Sequence, residues 1–66
     1  MINMEKTSII NYIVKRIEAE YNLHGIDKAK YYYKSYFVLD SYKQLKDEVD
    51  EQLINKNLEF LIDKSI

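Results

Sequence analysis

Apolar side chains in the first third of the chain recur at spacings of one, three and four residues. On a helix of 3.6 residues per turn, this spacing places them on one stripe about 140° wide, opposite a polar face. The stripe consists of Ile9, Ile10, Ile13, Val14, Ile17 and Tyr21. Asn3 or Thr7 can serve as the N-cap, and Glu5 lies favourably near the positive end of the helix dipole. The pattern predicts a first helix over residues 4–23.

A turn is expected directly after this helix, around residues 22–25. The chain has one glycine and no proline, so few positions interrupt a helix. Gly25 suits the left-handed conformation that commonly ends a helix. The clusters of Gly, Pro, Asn and Asp that separate short strands are missing. We therefore predict an all-α fold.

A second apolar stripe runs from the turn almost to the end of the chain. Its members fall within about 80° of one another if the helix is unbroken. They are Tyr31, Val38, Tyr42, Leu45, Val49, Leu53 and Phe60. This coherence predicts one long helix over residues 27–63, with Asp27 as its N-cap or as an anion in its first turn. The aromatic segment 31–39 also favours a strand, but a single strand has no partner in this chain.

A break near Asp40–Ser41 is the alternative to this continuous helix. Either residue can cap a third helix whose first turn includes Gln44. The lengths matter here, because the long helix would span roughly 55 Å and the first helix only roughly 30 Å. Half of the long helix would stay uncovered in a simple hairpin. Either this half folds back as a third helix, or a second subunit covers it.

The uncovered half carries apolar residues on two faces and supplies the candidate dimer contacts. These are Val49, Leu53, Ile54, Leu58, Phe60 and Leu61. Small chains without disulfides or metals are marginal alone and commonly oligomerise. Lysines predominate in residues 27–46 and carboxylates in residues 47–64, which favours an antiparallel pair. The sequence thus predicts a helical hairpin that dimerises into a four-helix bundle, with a monomeric three-helix bundle as the second architecture.

Composition and charge narrow the classes of function. A chain of 66 residues forms a single small domain. Its net charge of -1 and pI near 5.7 lack the positive field of a general nucleic-acid binder. The absence of cysteine excludes a disulfide scaffold and a thiolate metal site. With neither a membrane-spanning stretch nor a signal-peptide pattern, we expect a cytoplasmic protein without a membrane partner.

Candidate catalytic and metal-binding chemistry is sparse. His24 is the only imidazole, and we interpret it as an exposed residue at a helix C-terminus. The acidic run over residues 47–51 lacks the spacing and glycine of a calcium loop, and we interpret it as a solvated helix face. The serines lie in no nucleophile-elbow or phosphate-loop pattern. We expect no enzymatic activity, no cofactor and no metal.

Tyrosine is the most unusual feature, with seven in 66 residues. The candidate interaction surface consists of Tyr31, Tyr32, Tyr36, Lys30 and Lys34. Rings beside lysines are typical of platforms for single-stranded nucleic acid, but consecutive helical tyrosines point about 100° apart and cannot form one flat platform. Tyrosine is also typical of cores and protein interfaces. The segment is open to three interpretations: core or subunit interface, docking site for a protein, or nucleic-acid surface.

These features favour a small non-enzymatic adaptor or inhibitor that binds another protein and also itself. A composition rich in Lys, Ile, Asn and Tyr is typical of accessory proteins from AT-rich phages and plasmids. The alternative is a small dimeric regulator that binds nucleic acid through its lysine and tyrosine residues. A dimer would present that series twice, and its affinity would fall steeply with salt.

Overall fold

The computed structural model describes residues 4–66, which form four α-helices and one short 3₁₀ helix. The α-helices are α1 (Met4–His24), α2 (Ile26–Phe37), α3 (Asp40–Lys43) and α4 (Lys46–Asn55), and the 3₁₀ helix is Glu59–Leu61. These residues contain no strand. The predictions of an all-α fold and of the first helix are confirmed.

Gly25 alone separates α1 from α2, so the turn predicted around residues 22–25 is confined to its last residue. Its backbone has φ 92° and ψ -175°, a region that is essentially restricted to glycine. Its N–H donates to the carbonyl of Tyr21 (3.0 Å), and its carbonyl accepts from the N–H of Ala29 (3.2 Å). Asp27 lies in the first turn of α2 rather than at the N-cap. The single-residue turn joins α1 and α2 as a helical hairpin.

The single long helix predicted over residues 27–63 is wrong. Helix α2 ends at Phe37, and Leu39 has an extended backbone (φ -88°, ψ 125°). One helical turn, α3, then leads to α4, which begins at Lys46. The chain therefore breaks close to the position of the alternative, just before Asp40.

The expected capping of the third helix does not occur. Leu39 occupies the N-cap position of α3, and Asp40 is the first helical residue. Gln44 lies at the C-terminal end of α3, where its side-chain amide is 3.5 Å from the carbonyl oxygen of Ser41. No capping box forms, so local capping does not explain the break.

Burial of the C-terminal third supplies the physical reason for the break. After it, α4 returns to pack against α1, and Val49, Leu53 and Leu61 become fully buried. An unbroken helix would leave these side chains in water, at a cost of roughly 1.5–3 kcal/mol for each. This gain outweighs the helical hydrogen bonds that are lost around residues 38–39. Tertiary burial therefore overrides the continuous periodicity of the sequence.

Helix α4 ends in a Schellman motif that the sequence analysis did not identify. Asn57 has a positive φ of 61°, and its N–H donates to the carbonyl of Ile54 (3.0 Å). The N–H of Leu58 donates to the carbonyl of Leu53 (2.8 Å), and both leucine side chains are buried. This pattern satisfies the last carbonyls and joins the two leucines in one apolar contact. It also turns the chain toward the 3₁₀ helix.

One core lies between α1, α2, α4 and the C-terminal segment, in a bundle-like arrangement. Its buried residues are Ile10, Ile13, Val14, Ile17, Ala29, Tyr33, Phe37, Leu45, Val49, Leu53, Leu58 and Leu61. The face of α2 that packs on the core consists of Ala29, Tyr33 and Phe37, which are spaced four residues apart. Tyr31 and Val38, which belong to the stripe predicted from the sequence, lie off this face and are exposed. Ile9, at the edge of the first stripe, is also exposed.

Four of the six candidate dimer contacts lie inside the chain's own core. Val49, Leu53 and Leu61 are fully buried, and Leu58 is 7% exposed. These side chains are not available to a second subunit in this fold, because their own chain covers them. The other two candidates, Ile54 and Phe60, keep 48% and 42% of their surface exposed. The C-terminal half thus folds back, which removes the reason for expecting a partner subunit there.

Candidate functional site

The three consecutive tyrosines of α2 lie in three different environments. Tyr31 is 73% exposed, Tyr32 is half-buried beside α1, and Tyr33 is fully buried. A helix turns by about 100° per residue, so neighbouring side chains do not share a face. The prediction that these rings form no single flat platform is confirmed.

The five residues of the predicted interaction surface fall on two sides of α2. Lys30, Tyr31 and Lys34 line a groove beside the C-terminal segment. Tyr32 and Tyr36 lie on the side of α1, where the Tyr32 hydroxyl accepts a hydrogen bond from an α1 side chain. The structure therefore replaces one predicted surface with two candidate sites.

The first site, which we call the Arg16–tyrosine face, consists of Tyr12, Arg16, Tyr32, Tyr36 and Tyr42. Arg16 Nε donates to the Tyr32 hydroxyl (3.0 Å), and the guanidinium carbon lies 5.1 Å from the Tyr32 ring centroid. The Tyr32 and Tyr36 hydroxyls share a hydrogen bond (3.2 Å), and their rings pack edge to face. Tyr36 packs in the same way on Tyr42, with centroids 5.5 Å apart. Edge-to-face packing of this kind is favourable for aromatic pairs.

Hydrogen bonding shifts the pKa values of three members of this face. The hydrogen bond to Tyr32 raises the pKa of Arg16 above its usual value. Burial opposes ionisation of Tyr32, but hydrogen bonds with Tyr36 and Arg16 outweigh it and lower the Tyr32 pKa. Burial, and then the hydrogen bond to Tyr32, raises the pKa of Tyr36. The hydrogen bonds among Arg16, Tyr32 and Tyr36 hold the polar atoms of the face in one arrangement.

The rest of the chain covers this face only in part. Tyr12 is 56% exposed and the Arg16 side chain 42% exposed. Tyr32, Tyr36 and Tyr42 each pack against the core and keep part of their surface in solvent. Tyr12, Arg16 and Tyr42 were not among the site residues predicted from the sequence. The available signal was the four-residue spacing of Tyr12 to Arg16 and of Tyr32 to Tyr36, which aligns each pair on one helix face.

The second site is a groove of about 400 Å³ between α2 and the C-terminal segment. Its lining residues are Asp27, Lys30, Tyr31, Lys34, Ile62, Asp63 and Lys64. Lys34 Nζ lies 3.3 Å from Asp63 Oδ2. Hydrogen bonds from the hydroxyl and N–H of Ser65, together with the Lys34 ion pair, lower the pKa of Asp63 to about 2. The groove is thus lined by two carboxylates, Asp27 and Asp63, and three lysines. The carboxylates reduce the positive potential that the lysines create.

A polar cluster behind these sites links α2 to α4. The buried Tyr33 donates its hydroxyl proton to Asp50 Oδ1 (2.6 Å), and Lys46 Nζ donates to Asp50 Oδ2 (2.8 Å). Burial, and then the hydrogen bond to Asp50, raises the pKa of Tyr33. Asp50 belongs to the acidic run that the sequence analysis interpreted as a solvated face, and its side chain is only 16% exposed. We assign this cluster a structural role, because neither Tyr33 nor Asp50 lines the groove described above.

The structure shows little arrangement for catalysis in the residues it describes. His24 is the exposed last residue of α1, with Nε2 4.0 Å from Glu20 Oε1. Over residues 4–66, no three His, Asp or Glu side chains come together in a way that would hold a metal ion. The helices in this range are all too short or too polar to cross a membrane. What remains as a site is two partly exposed aromatic surfaces.

Comparison with known proteins adds nothing to this geometry. No protein-family model matches the chain, and neither a curated protein nor a solved structure is significantly similar to it. The fold and the sites define it as a small all-α protein with a bundle-like core. Its function has to be argued from its own residues.

Proposed function

We propose that this protein is a small non-enzymatic adaptor or inhibitor that binds another protein through the Arg16–tyrosine face. The observation that carries the proposal is the preformed cluster of partly exposed Arg16 and tyrosine side chains. Tyrosine and arginine are enriched among the residues that dominate binding energy at protein interfaces. Side chains already held by mutual contacts lose less conformational entropy on binding. The face therefore combines suitable chemistry with a low cost of ordering.

Packing within the chain supports the same proposal. The core is closed by residues such as Tyr33 and Phe37, which are fully buried and do not belong to the face. Tyr12 contributes little to this core, because more than half of its surface is exposed. An exposed tyrosine beside a half-exposed arginine is more typical of a binding surface than of a structural contact.

Site-specific crosslinking tests the proposal. A photoreactive phenylalanine analogue is placed at Tyr12 in cells that naturally produce the protein, and the same analogue at Ile54 on α4 serves as the matched exposed control. We expect a discrete crosslinked protein from position 12 that is absent from position 54. Arg16→Glu should abolish the product, because it reverses the charge at the centre of the face. Identical patterns from both positions, or no discrete product at position 12, would refute the proposal.

One observation favours a second candidate function, the binding of single-stranded nucleic acid in the groove. Tyr31 is exposed for stacking, and Lys30 and Lys64 lie beside it. Asp27 and Asp63 line the same groove and repel phosphate, which places this function second. Mobility shifts at low salt with single-stranded DNA and RNA test it. Retardation that Tyr31→Ala removes would support it, and no retardation at about 10 µM protein, where typical non-specific contacts are populated, would refute it.

A further inference from the structure

We infer that the partner of the Arg16–tyrosine face is an amphipathic α-helix with an acidic flank, which lies lengthwise along α1. This inference rests on the proposed function and adds the class of partner. It starts from a second stripe of side chains on α1, which we call the outer seam. The outer seam consists of Ile9, Tyr12, Arg16, Ala19 and Leu23.

The outer seam has the spacing with which one helix packs on another. Its members alternate in steps of three and four residues, which is the a and d pattern of helix pairing. On α1 they fall within about 80° of one another and span about 21 Å, or four helical turns. Leu23 is 73% exposed, Tyr12 56% and Ile9 39%. Tyr12 and Leu23 thus keep more than half of their surface in solvent, and Ile9 keeps more than a third.

This seam is distinct from the stripe that holds the fold together. Ile13 and Ile17 on the inner stripe are fully buried, and they pack against α2 and α4. The outer seam is bordered on one side by α2, where Tyr32 contacts Arg16 and Tyr36 is hydrogen-bonded to Tyr32. The seam and this aromatic border form an elongated apolar surface. A helix that lies in this groove matches the three- and four-residue spacing of the seam, whereas addition of a β-strand would need a free sheet edge, which residues 4–66 do not contain.

The charges beside the seam select an acidic partner. Lys15 lies one turn beyond Tyr12 on α1, and Lys28 lies one turn before Tyr32 on α2. Both lysines are exposed, and neither forms an ion pair with any residue that the structure describes. Together with Arg16 they give the central part of the seam a positive potential that a carboxylate-rich helix would complement.

The acidic groups near the seam offset this potential only in part. Glu20 is only 20% exposed and is engaged by Arg16 (3.6 Å) and His24 (4.0 Å). Glu5 lies one turn before Ile9, at the far end of the seam. The ion pair with Glu20 offsets the charge of Arg16, so Lys15 and Lys28 carry the net positive charge at the centre of the seam.

The same charges disfavour a second copy of this chain as the occupant. A twofold dimer centred on the seam brings its midpoint, Arg16, against its own copy, with Lys15 one residue away. Like charges brought together at an interface oppose association. A different protein with an acidic amphipathic helix therefore fits the seam better.

Synthetic peptides of about 18 residues, long enough for the four turns of the seam, test the inference. One carries a leucine stripe with a single tryptophan and glutamates on its flank, a second has lysine in place of each glutamate, and a third has glutamine. The protein contains no tryptophan, so tryptophan fluorescence reports only the peptide. We expect the acidic peptide to bind at least about tenfold tighter than the basic one, with the difference shrinking as salt rises from about 50 to 500 mM.

Matched variants locate the binding. Leu23→Asp, at an exposed position, should weaken the acidic peptide at least about tenfold because it places a carboxylate in the seam. Arg16→Glu should do the same and should narrow the preference for the acidic peptide. Lys64→Glu removes an exposed lysine from the groove instead and should leave the affinity unchanged. Circular dichroism of each variant confirms that the fold is intact, and Leu23→Asp keeps the test valid if Arg16→Glu perturbs the hairpin.

Three outcomes would overturn the inference. Equal binding of acidic and basic peptides at the seam would refute the acidic partner while leaving protein binding intact. No peptide binding, combined with a crosslinked protein at Tyr12, would refute the helical partner. A dimer in sedimentation that Leu23→Asp dissociates would make the seam a self-contact. Failure of the proposed function is a separate result, namely the absence of any crosslinked protein at Tyr12.

Discussion

Removal of the Tyr33 hydroxyl should destabilise the protein by about 1.5 kcal/mol, within the range measured for hydrogen bonds to charged groups. Tyr33→Phe keeps the buried ring and deletes only the 2.6 Å hydrogen bond to Asp50. The destabilisation stays near the lower end of that range because Asp50 keeps its ion pair with Lys46 (2.8 Å). In addition, 16% of the Asp50 side-chain surface is exposed to solvent, so water can replace part of the lost contact. For a domain of this size, such a loss lowers Tm by about 6–12 °C. Thermal and urea denaturation, followed by circular dichroism, measure both quantities.

Two controls make this prediction specific. Tyr31→Phe deletes a hydroxyl from the exposed neighbouring tyrosine and should change stability by less than about 0.5 kcal/mol. Asp50→Ala, alone and combined with Tyr33→Phe, completes a double-mutant cycle, in which the two losses should be less than additive because each removes the same hydrogen bond. If Tyr33→Phe were as stable as Tyr31→Phe, the hydroxyl would not be bound to Asp50 and the proposed link between α2 and α4 would fail.

Three further predictions follow from the fold. Gly25→Ala should destabilise by about 1–3 kcal/mol in denaturation experiments through backbone strain alone, since φ is 92° and nothing lies within 4 Å of an added Cβ. Leu53→Ala should cost about 2–5 kcal/mol and Ile54→Ala less than about 1 kcal/mol, because Leu53 is fully buried and Ile54 is half exposed. The pKa of Asp63 is depressed to about 2, so ionised Asp63 stabilises the fold at pH values above its ordinary pKa of 3.8. This stabilisation should be lost as the pH falls from about 4 to about 2. Acid titration of the wild type and of Asp63→Asn, followed by NMR of residues 62–66, measures the loss.

Local signals in the sequence were sufficient for the first half of the fold. The spacing of Ile10, Ile13 and Ile17 predicted α1, and Gly25 predicted its end, because both depend on interactions within a few residues. The break after Phe37 could not be predicted in the same way. It has neither glycine nor proline and depends on the distant contact between α4 and α1. The stop at Asn57 was visible in principle, since Asn is the second choice after Gly for the left-handed position.

The candidate site was predictable in composition but not in arrangement. Tyrosine density drew attention to residues 31–36, yet the direction of each ring depends on how α2 packs. Because of that packing, Tyr33 is buried against α4 and hydrogen-bonds to Asp50, whereas Tyr32 hydrogen-bonds to Arg16 of α1. The prediction that Leu53 is a dimer contact assumed an unbroken helix whose second half had no neighbour, whereas the helix breaks and Leu53 lies in the core of its own chain. An error in one helix boundary thus placed four side chains in a proposed interface that the chain itself buries.

The two stripes of α1 allow stability and binding to be changed independently. Substitutions on the inner stripe, such as Ile17→Ala, remove buried contacts and should cost about 2–5 kcal/mol. Substitutions on the outer seam, such as Leu23→Ala, remove a side chain that is mostly in water and should change stability by less than about 0.5 kcal/mol. If the seam is the binding surface, Leu23→Ala should reduce partner binding while the denaturation midpoint stays constant. A parallel loss of both properties would mean that the outer seam is part of the core, and the separation of fold from function on this helix would be untenable.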